Sequence, residues 1–326
     1  MTTLAVSGLS GPGFDTYEVF ETMRKAADWG YGAAWLAEVQ GPDAISQLGA
    51  LAVTTDMDLG VAVVPVQTRS AMSLAMSALS VQELSRGRFT LGIGASSETI
   101  VSKWAGQPFD KPLTHVRETF DAIYPVLKGE ASQTDGEYVQ MRYRPYRDGI
   151  PRVPLYLGAL NQKSLQQVGE LGADGLCLNQ MGAEHVPQML DLVREGAGGA
   201  LPDDFGVVAR LFCFVTDDVA AARPMIKHIF APYIATSVYN RFYRWMGYEA
   251  DARGVMDKQG DRDAQAASIS DRLVDDIFLL GTPERIAGRV KEFVDAGVTV
   301  PVIAPLSMHV HQAADQLEAI GRAWNA

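Results

Sequence analysis

Two short segments combine small residues with hydrogen-bond donors in a spacing that suits a planar or anionic ligand. The first is LGIGAS, where Gly92 and Gly94 are followed by Ala95, Ser96 and Ser97. Without bulky side chains, a ring or a phosphate can approach the backbone closely and meet its N–H groups; an ordinary turn after a buried strand needs the same residues. The second is LGALNQK, where Gly158, Ala159, Leu160, Asn161, Gln162 and Lys163 lead from an apolar run into a helical pattern. The unpaired N–H groups of a helix N-terminus, with a lysine nearby, form a natural anion site. A solvated surface lysine is the other reading of Lys163.

Metal and thiol chemistry find no comparable pattern. His115, His185, His228, His309 and His311 are scattered, and Cys177 and Cys213 sit in apolar runs without metal-ligand spacing, so no metal is expected and both cysteines read as reduced core residues. Lys and Arg number 28 against 39 Asp and Glu, a net charge of −11, with no basic cluster. Nucleic acid and anionic membranes are therefore poor partners. Arg142, Arg144 and Arg147 come nearest to a basic patch; in a strand Arg142 and Arg144 would share one face, expected as a solvated edge. With 326 residues, 47% hydrophobic and 21% charged, the chain can bury a large core, which excludes disorder. Its apolar runs are strand-sized and its N-terminus has no basic-then-apolar leader, so a soluble, cytoplasmic protein is expected.

A recurring unit must position the ligand-facing segments: a helical pattern closes on glycine, a short apolar run follows, and a polar loop comes next. It begins at Asp15, where Asp15 and Glu18 have capping-box spacing and Val19, Phe20, Met23, Ala26 and Ala27 share a face. Gly30 ends that helix, and GAAWLAE reads as a buried strand. The unit returns in KSLQQVGELGADGLCLN and in TPERIAGRVKEFVDAGVTVPVIAP, where Thr282 caps, Pro283 takes the first helical position and Gly297 stops the helix. The strand candidates are LAVSGL, AAWLA, DLGVAVV, RFTLGIG, PLYLGA, GLCLN, FGVVARLFCFV and TVPVIAP, separated by helical patterns such as SLAMSALSVQELS and VPQMLDLVREG. Strands separated by helices run parallel and are covered on their outer face, and eight of them predict an α/β fold, a (β/α)8 TIM barrel. Since no linker interrupts the chain, one domain over 1–326 is expected. Two stretches exceed the unit: one after strand 4, about 95–153, with a helical pattern and a hairpin around GEYVQMRYRPY, and one after strand 7, about 232–275. Both follow strands, on the face where such barrels build their sites.

SRGRFTLGIGAS at 85–96, PLYLGALNQKSLQQVGELGADGLCLN at 154–179 and LLGTPERIAGRVKEFVDAGV at 279–298 together resemble the luciferase-like monooxygenase superfamily. FAPYIATSVYNRFYRWMGYEA at 230–250 resembles its F420-dependent oxidoreductase subgroup, that of methylenetetrahydromethanopterin reductase. The resemblance covers nearly the whole chain. It implies a barrel that binds coenzyme F420, a 5-deazaflavin, or alternatively FMN, at the mouth formed by the strand C-termini, usually as a homodimer. The implied activity is hydride transfer between the deazaflavin ring and a small organic substrate. An FMN-dependent monooxygenase using reduced flavin and oxygen is the alternative, and a non-catalytic flavin or deazaflavin binding protein the second; the cofactor supplies the difficult chemistry in either enzyme.

On this resemblance Gly94, Ala95 and Ser96 face the cofactor. Gly158, Ala159, Leu160, Asn161, Gln162 and Lys163 contact its phosphate-bearing tail, with Asn161-Gln162 standing where many relatives have Gly-Pro. A non-proline cis peptide behind the central ring would fall at Ala62-Val63, with plain barrel core as the alternative. Arg69 would contact the tail or pair with an acidic residue. Glu38 ends the second strand where relatives place an acidic residue followed by histidine; here Val39 follows, which leaves Glu38 as the acid/base candidate against a local structural carboxylate. Asn179 and Gln180 could hydrogen-bond the ring or the substrate, or serve only the loop. Tyr233, Tyr239, Phe242, Tyr243 and Trp245, at near-helical spacings, would line a substrate pocket or form a packing or dimer face.

Overall fold

The computed structural model describes residues 2–9, 11, 13–146 and 148–326. Its strands are β1 (Ala5–Ser7), β2 (Ala33–Leu36), β3 (Asp58–Pro65), β4 (Phe89–Gly94), β5 (Ser132–Asp135), β6 (Gln140–Tyr143), β7 (Leu155–Gly158), β8 (Gly175–Asn179), β9 (Gly206–Val215), β10 (Leu279–Gly281) and β11 (Val300–Pro305). Strands β1, β2, β3, β4, β7, β8, β9 and β11 pair in that order, all parallel, and β11 returns to β1. The ring is closed, and helices lie between successive strands: the expected (β/α)8 barrel. Every one of the eight expected barrel strands is present within one or two residues of its sequence pattern.

The short β10 was not expected. It pairs with Cys213–Val215 of β9, beyond the Gly206–Arg210 stretch that pairs with β8, so β9 carries two neighbours in succession along its length. The hairpin expected after β4 is present. GEYV forms its turn, and Ser132–Asp135 pairs antiparallel with Gln140–Tyr143. Glu118 fixes that turn, accepting the backbone N–H groups of Glu137, Tyr138 and Val139. Arg142 and Arg144 are exposed on it, and Arg147 lies outside the described residues. The stretch read as one insertion after strand 4 is interrupted by the helix Pro112–Leu127, which packs against Ala71–Leu84 as part of the outer layer. After β9 comes the helix Val219–Ile234 and then four short helices between Ser237 and Ile277.

Local chemistry explains where the helices begin. Asp15 accepts the N–H groups of Tyr17 and Glu18, and the carboxylate or hydroxyl of Asp43, Ser70, Asp218, Thr236, Ser270 and Thr282 caps its own helix in the same way. Gly30 and Gly297 end theirs at φ of +91° and +115°, in the left-handed region open to glycine.

The barrel interior is a separate small cluster of Ala5, Ala33, Trp35, Cys177, Val208 and Val302, joined by Ala62, Val63, Tyr156 and Val300. The rings of Trp35 and Tyr156, 6.0 Å apart, fill much of it. The larger cluster packs between the outer strand faces and the helices. No helix among the described residues is long and apolar enough to cross a membrane.

Candidate active site

Side chains alternate along a strand, so the interior cluster identifies the next inward position toward the strand C-termini. Above Ala5 stands Ser7, above Tyr156 stands Gly158, above Cys177 stands Asn179, above Val208 stands Arg210 and above Val302 stands Ala304. Gly94 takes the same level on β4. These residues floor the mouth of the barrel.

Strand β3 breaks the alternation. Its register against β4 shifts between Val61 and Val64, and the Ala62-Val63 peptide is cis. Val63 thereby joins the interior and lies between two neighbouring strand ends. A Cβ on Gly94 would fall 2.8 Å from one Val63 methyl, and a Cβ on Gly158 would fall 2.9 Å from the other. At these two positions the absent side chain makes room first for Val63. A Cβ on Gly92 would collide with the Val61 carbonyl oxygen and come within 3.2 Å of the Cys177 sulfur. The glycines read as ligand-facing thus shape a closely packed floor through their neighbours.

The loops above this floor carry two non-glycine residues at positive φ, Ser96 at +60° and Gln180 at +58°, each just past a strand end. Such conformations persist where surrounding contacts impose them, and they cluster at ligand sites. Ala95 and Ser96 are half-buried. Beyond them a π-helical turn, Thr99–Trp104, leaves Trp104 exposed on the rim.

The opposite wall is polar and aromatic. Asn179 donates from Nδ2 to the Tyr239 hydroxyl at 3.1 Å, and the Tyr243 hydroxyl donates to Gln180 Oε1 at 2.9 Å. The helix Ser237–Trp245 is therefore tied directly to the end of β8. Burial pushes the Tyr239 and Tyr243 phenols up, so both stay protonated. Among the described residues each amide keeps one buried atom without a partner, Asn179 Oδ1 and Gln180 Nε2. Both side-chain atoms of Gln67, on the loop after β3, are likewise buried and unpaired, as is Arg210 Nε. Native proteins leave few such groups, and a cluster at one end of a barrel marks ligand-ready polarity.

The remaining sequence candidates distribute around the rim. Glu38 accepts from Arg69 Nε at 3.0 Å and from Arg69 Nη2 at 2.8 Å, and Arg69 also pairs with Asp43. Ser164 accepts the Asn161 N–H at 3.0 Å and closes the first turn of the helix Gln162–Glu170. Lys163 and Gln162 are exposed there, and Ala159 and Leu160 pack into the core beneath. His309 and His311 stack at 5.4 Å after β11. Of the aromatic residues, Phe242 and Tyr243 are buried while Tyr233 is 43% exposed. Cys177 and Cys213 are free and buried, and no group of three His, Cys, Asp or Glu among the described residues could hold a metal.

Arg210 and Gln67 were not singled out from sequence. For Arg210 the signal was present: a lone arginine in the apolar run FGVVARLFCFV. For Gln67 nothing distinguishes it from any polar loop residue.

A parallel (β/α)8 barrel whose C-terminal mouth combines small residues with partly unpaired polar side chains has the features of a barrel ligand site. The chain is a member of the luciferase-like monooxygenase family, whose profile matches residues 2–300. Over 317 residues it is 30% identical to a protein of Mycobacterium tuberculosis named as a coenzyme F420-dependent oxidoreductase, covering 87% of this chain and 89% of the relative. Among solved structures, the coenzyme F420-dependent tetrahydromethanopterin reductase from Methanopyrus kandleri has the same fold at a TM-score of 0.79 and 20% identity, over 99% of this chain and 98% of that one. The oxygenating constituent of 3,6-diketocamphane monooxygenase from Pseudomonas putida, in complex with FMN, has it at 0.71 and 16% identity, over 99% and 97%.

Proposed function

We propose that the protein is an F420-dependent oxidoreductase that moves a hydride between the deazaflavin ring and a small organic substrate. The observation that carries this reading is the pairing of two unlike surfaces at the mouth. Val63 between Gly94 and Gly158 offers an apolar support, and Gln67, Asn179 and Gln180 offer buried hydrogen-bonding atoms that nothing among the described residues satisfies. A deazaflavin is apolar across its faces and carries alternating carbonyl and N–H groups along its pyrimidine edge, so the two surfaces fit its two characters. The similarity, over 87% of this chain, to the mycobacterial protein named as a coenzyme F420-dependent oxidoreductase supports the same choice.

When bound, the cofactor accepts or donates a hydride at its central ring. The chain's own residues bind, orient and exclude water. Gly94, Ala95 and Ser96 border the ring, and Ala62-Val63 backs it. Gly158 to Lys163 lead outward to a helix N-terminus and an exposed lysine, which suit the anionic tail. Glu38 is better suited to hold Arg69 and the β2 and β3 loops together than to shuttle a proton, since both its oxygens are already engaged.

Side-by-side titration of the purified protein with F420 and FMN, by tryptophan fluorescence and calorimetry, tests the reading. Preferential F420 binding is expected. Preference for FMN, with oxygen-dependent turnover of a substrate, would move the function to a flavin monooxygenase; binding of neither would remove both. Val53, Met72, Met76 and Leu84 are exposed on two packed outer helices, Ala44–Thr54 and Ala71–Leu84. They support a homodimer, to be read by light scattering.

A further inference from the structure

Among the described residues, Arg210 is the one inward-facing cation of the barrel floor. It stands on β9 beside Asn179 of β8 and Val302 of β11, by strand register. Its guanidinium lies 4.7 Å from the Phe212 ring centroid. Among the described residues it makes no hydrogen bond and no ion pair, and its Nε is fully shielded. Asn179, its register neighbour on β8, donates to the Tyr239 hydroxyl at 3.1 Å, and the Tyr233 ring lies 5.9 Å from that of Tyr239. Burial disfavours its charge, but an arginine does not deprotonate in a protein, so a partly buried cation stays, with the Phe212 ring beside it and no anionic partner among the described residues.

Resting this step on the cofactor reading above, we propose that Arg210, with the Tyr233 and Tyr239 hydroxyls, forms an anion subsite that takes the carboxylate of an organic-acid substrate. The charge balance selects a carboxylate over a phosphate. One guanidinium with two hydroxyls matches a monoanion, whereas a phosphate dianion calls for a second cation, which no described residue supplies at this corner of the mouth. Geometry agrees: a guanidinium fork meets two carboxylate oxygens side by side. The Phe212 ring beside it favours an apolar or aromatic body attached to that carboxylate. Tyr233, 43% exposed, leaves the corner open to solvent on its outer side, so the ligand can enter past the aromatic helix.

Benzoate, benzamide and phenyl phosphate, titrated by calorimetry and thermal denaturation with and without saturating F420, test the assignment. Benzoate is expected to bind about tenfold or more tightly than benzamide, as a charge-assisted bidentate contact requires, and more tightly than phenyl phosphate. Arg210→Met should abolish that preference and itself raise the Tm, because it removes a buried charge without a partner; Arg210→Lys should retain part of it. A Tm increase also shows that the variant folds. Equal binding of benzoate and benzamide, no binding of benzoate, or tightest binding of phenyl phosphate would each overturn the proposal. So would mutual exclusion of benzoate and F420, or a loss of F420 affinity in Arg210→Met with benzoate absent, since either assigns the anion to the cofactor. If F420 fails to bind while the benzoate preference persists, the cofactor reading falls and the carboxylate subsite stands.

Discussion

The two sides of the barrel mouth are built on opposite principles. On the β3, β4 and β7 side the strand ends are closely packed: Val63 occupies the space that Gly94 and Gly158 leave, and Gly92 lies against the Val61 carbonyl. On the β8 and β9 side polar atoms are buried without partners, at Asn179, Gln180 and Arg210. The first side defines a shape and tolerates no added atom. The second stores unmet hydrogen-bonding capacity, which costs stability in the free protein and is recovered when a ligand arrives. Shape and polarity are thus assigned to different strands, so each can be altered alone.

The largest effect is expected on the packed side. Gly92→Ala drives a methyl into backbone rather than into a movable side chain, so it should cost about 3 kcal/mol, the upper end for overpacking. Its urea midpoint should fall accordingly. A midpoint within error of the parent would mean that the floor is loose and the contrast between the two sides false. Gly94→Ala meets the tip of Val63 instead and should cost about 1 kcal/mol. Combined with Val63→Ala it should cost less than the two single changes added together, because the smaller side chain vacates the contested space. Strict additivity would show that Val63 is not what Gly94 accommodates.

On the polar side the expected losses are smaller than that of Gly92→Ala and of another kind. Tyr243→Phe removes the only partner of Gln180 Oε1 among the described residues and leaves that buried amide wholly unpaired, a loss of about 1–2 kcal/mol by denaturant unfolding. Tyr239→Phe unpairs Asn179 Nδ2 and should cost about 1 kcal/mol. The sharper readout is ligand-linked: saturating F420 should offset much of either loss, by satisfying the freed amides, and should offset none of the Gly92→Ala loss. Equal rescue on both sides would erase the distinction.

How much of this was legible in the sequence divides along the same line. The eight barrel strands, the caps at Asp15 and Thr282 and the stops at Gly30 and Gly297 are local patterns, readable from spacing and residue type. Gly94 and Gly158 were legible as special positions, but sequence cannot tell which neighbour claims their space; Val63 is distant in the chain from both. The pairing of Glu38 with Arg69 crosses 31 positions and was visible only as an alternative. Asn179 and Gln180 were legible as strand-end amides. Their bonds to Tyr239 and Tyr243 were not, because those depend on how the helix Ser237–Trp245 folds back over the mouth. Arg210 was overlooked because apolar neighbours led the strand to be read as core, when the oddity was the charge inside it.

The smallest expected effect is also the cleanest probe of whether the floor stays closed. Burial pushes the thiols of both Cys177 and Cys213 up, so neither should react with a thiolate-selective reagent such as Ellman's in the native protein at neutral pH, and both should react once unfolded in guanidinium. The two thiols report on different barriers. Cys177 faces inward one level beneath Asn179, beside Gly92, so a reagent reaches it through the mouth. Cys213 faces the outer layer on β9, so a reagent reaches it only when helices lift from the barrel. If the polar wall is the side that opens, slow native-state labelling should favour Cys177, and F420 should suppress labelling of Cys177 while leaving Cys213 unchanged. Equal rates at the two thiols, or equal protection by F420, would mean that the barrel opens only as a whole, and the unmet polarity of the wall would then have no consequence for its motion.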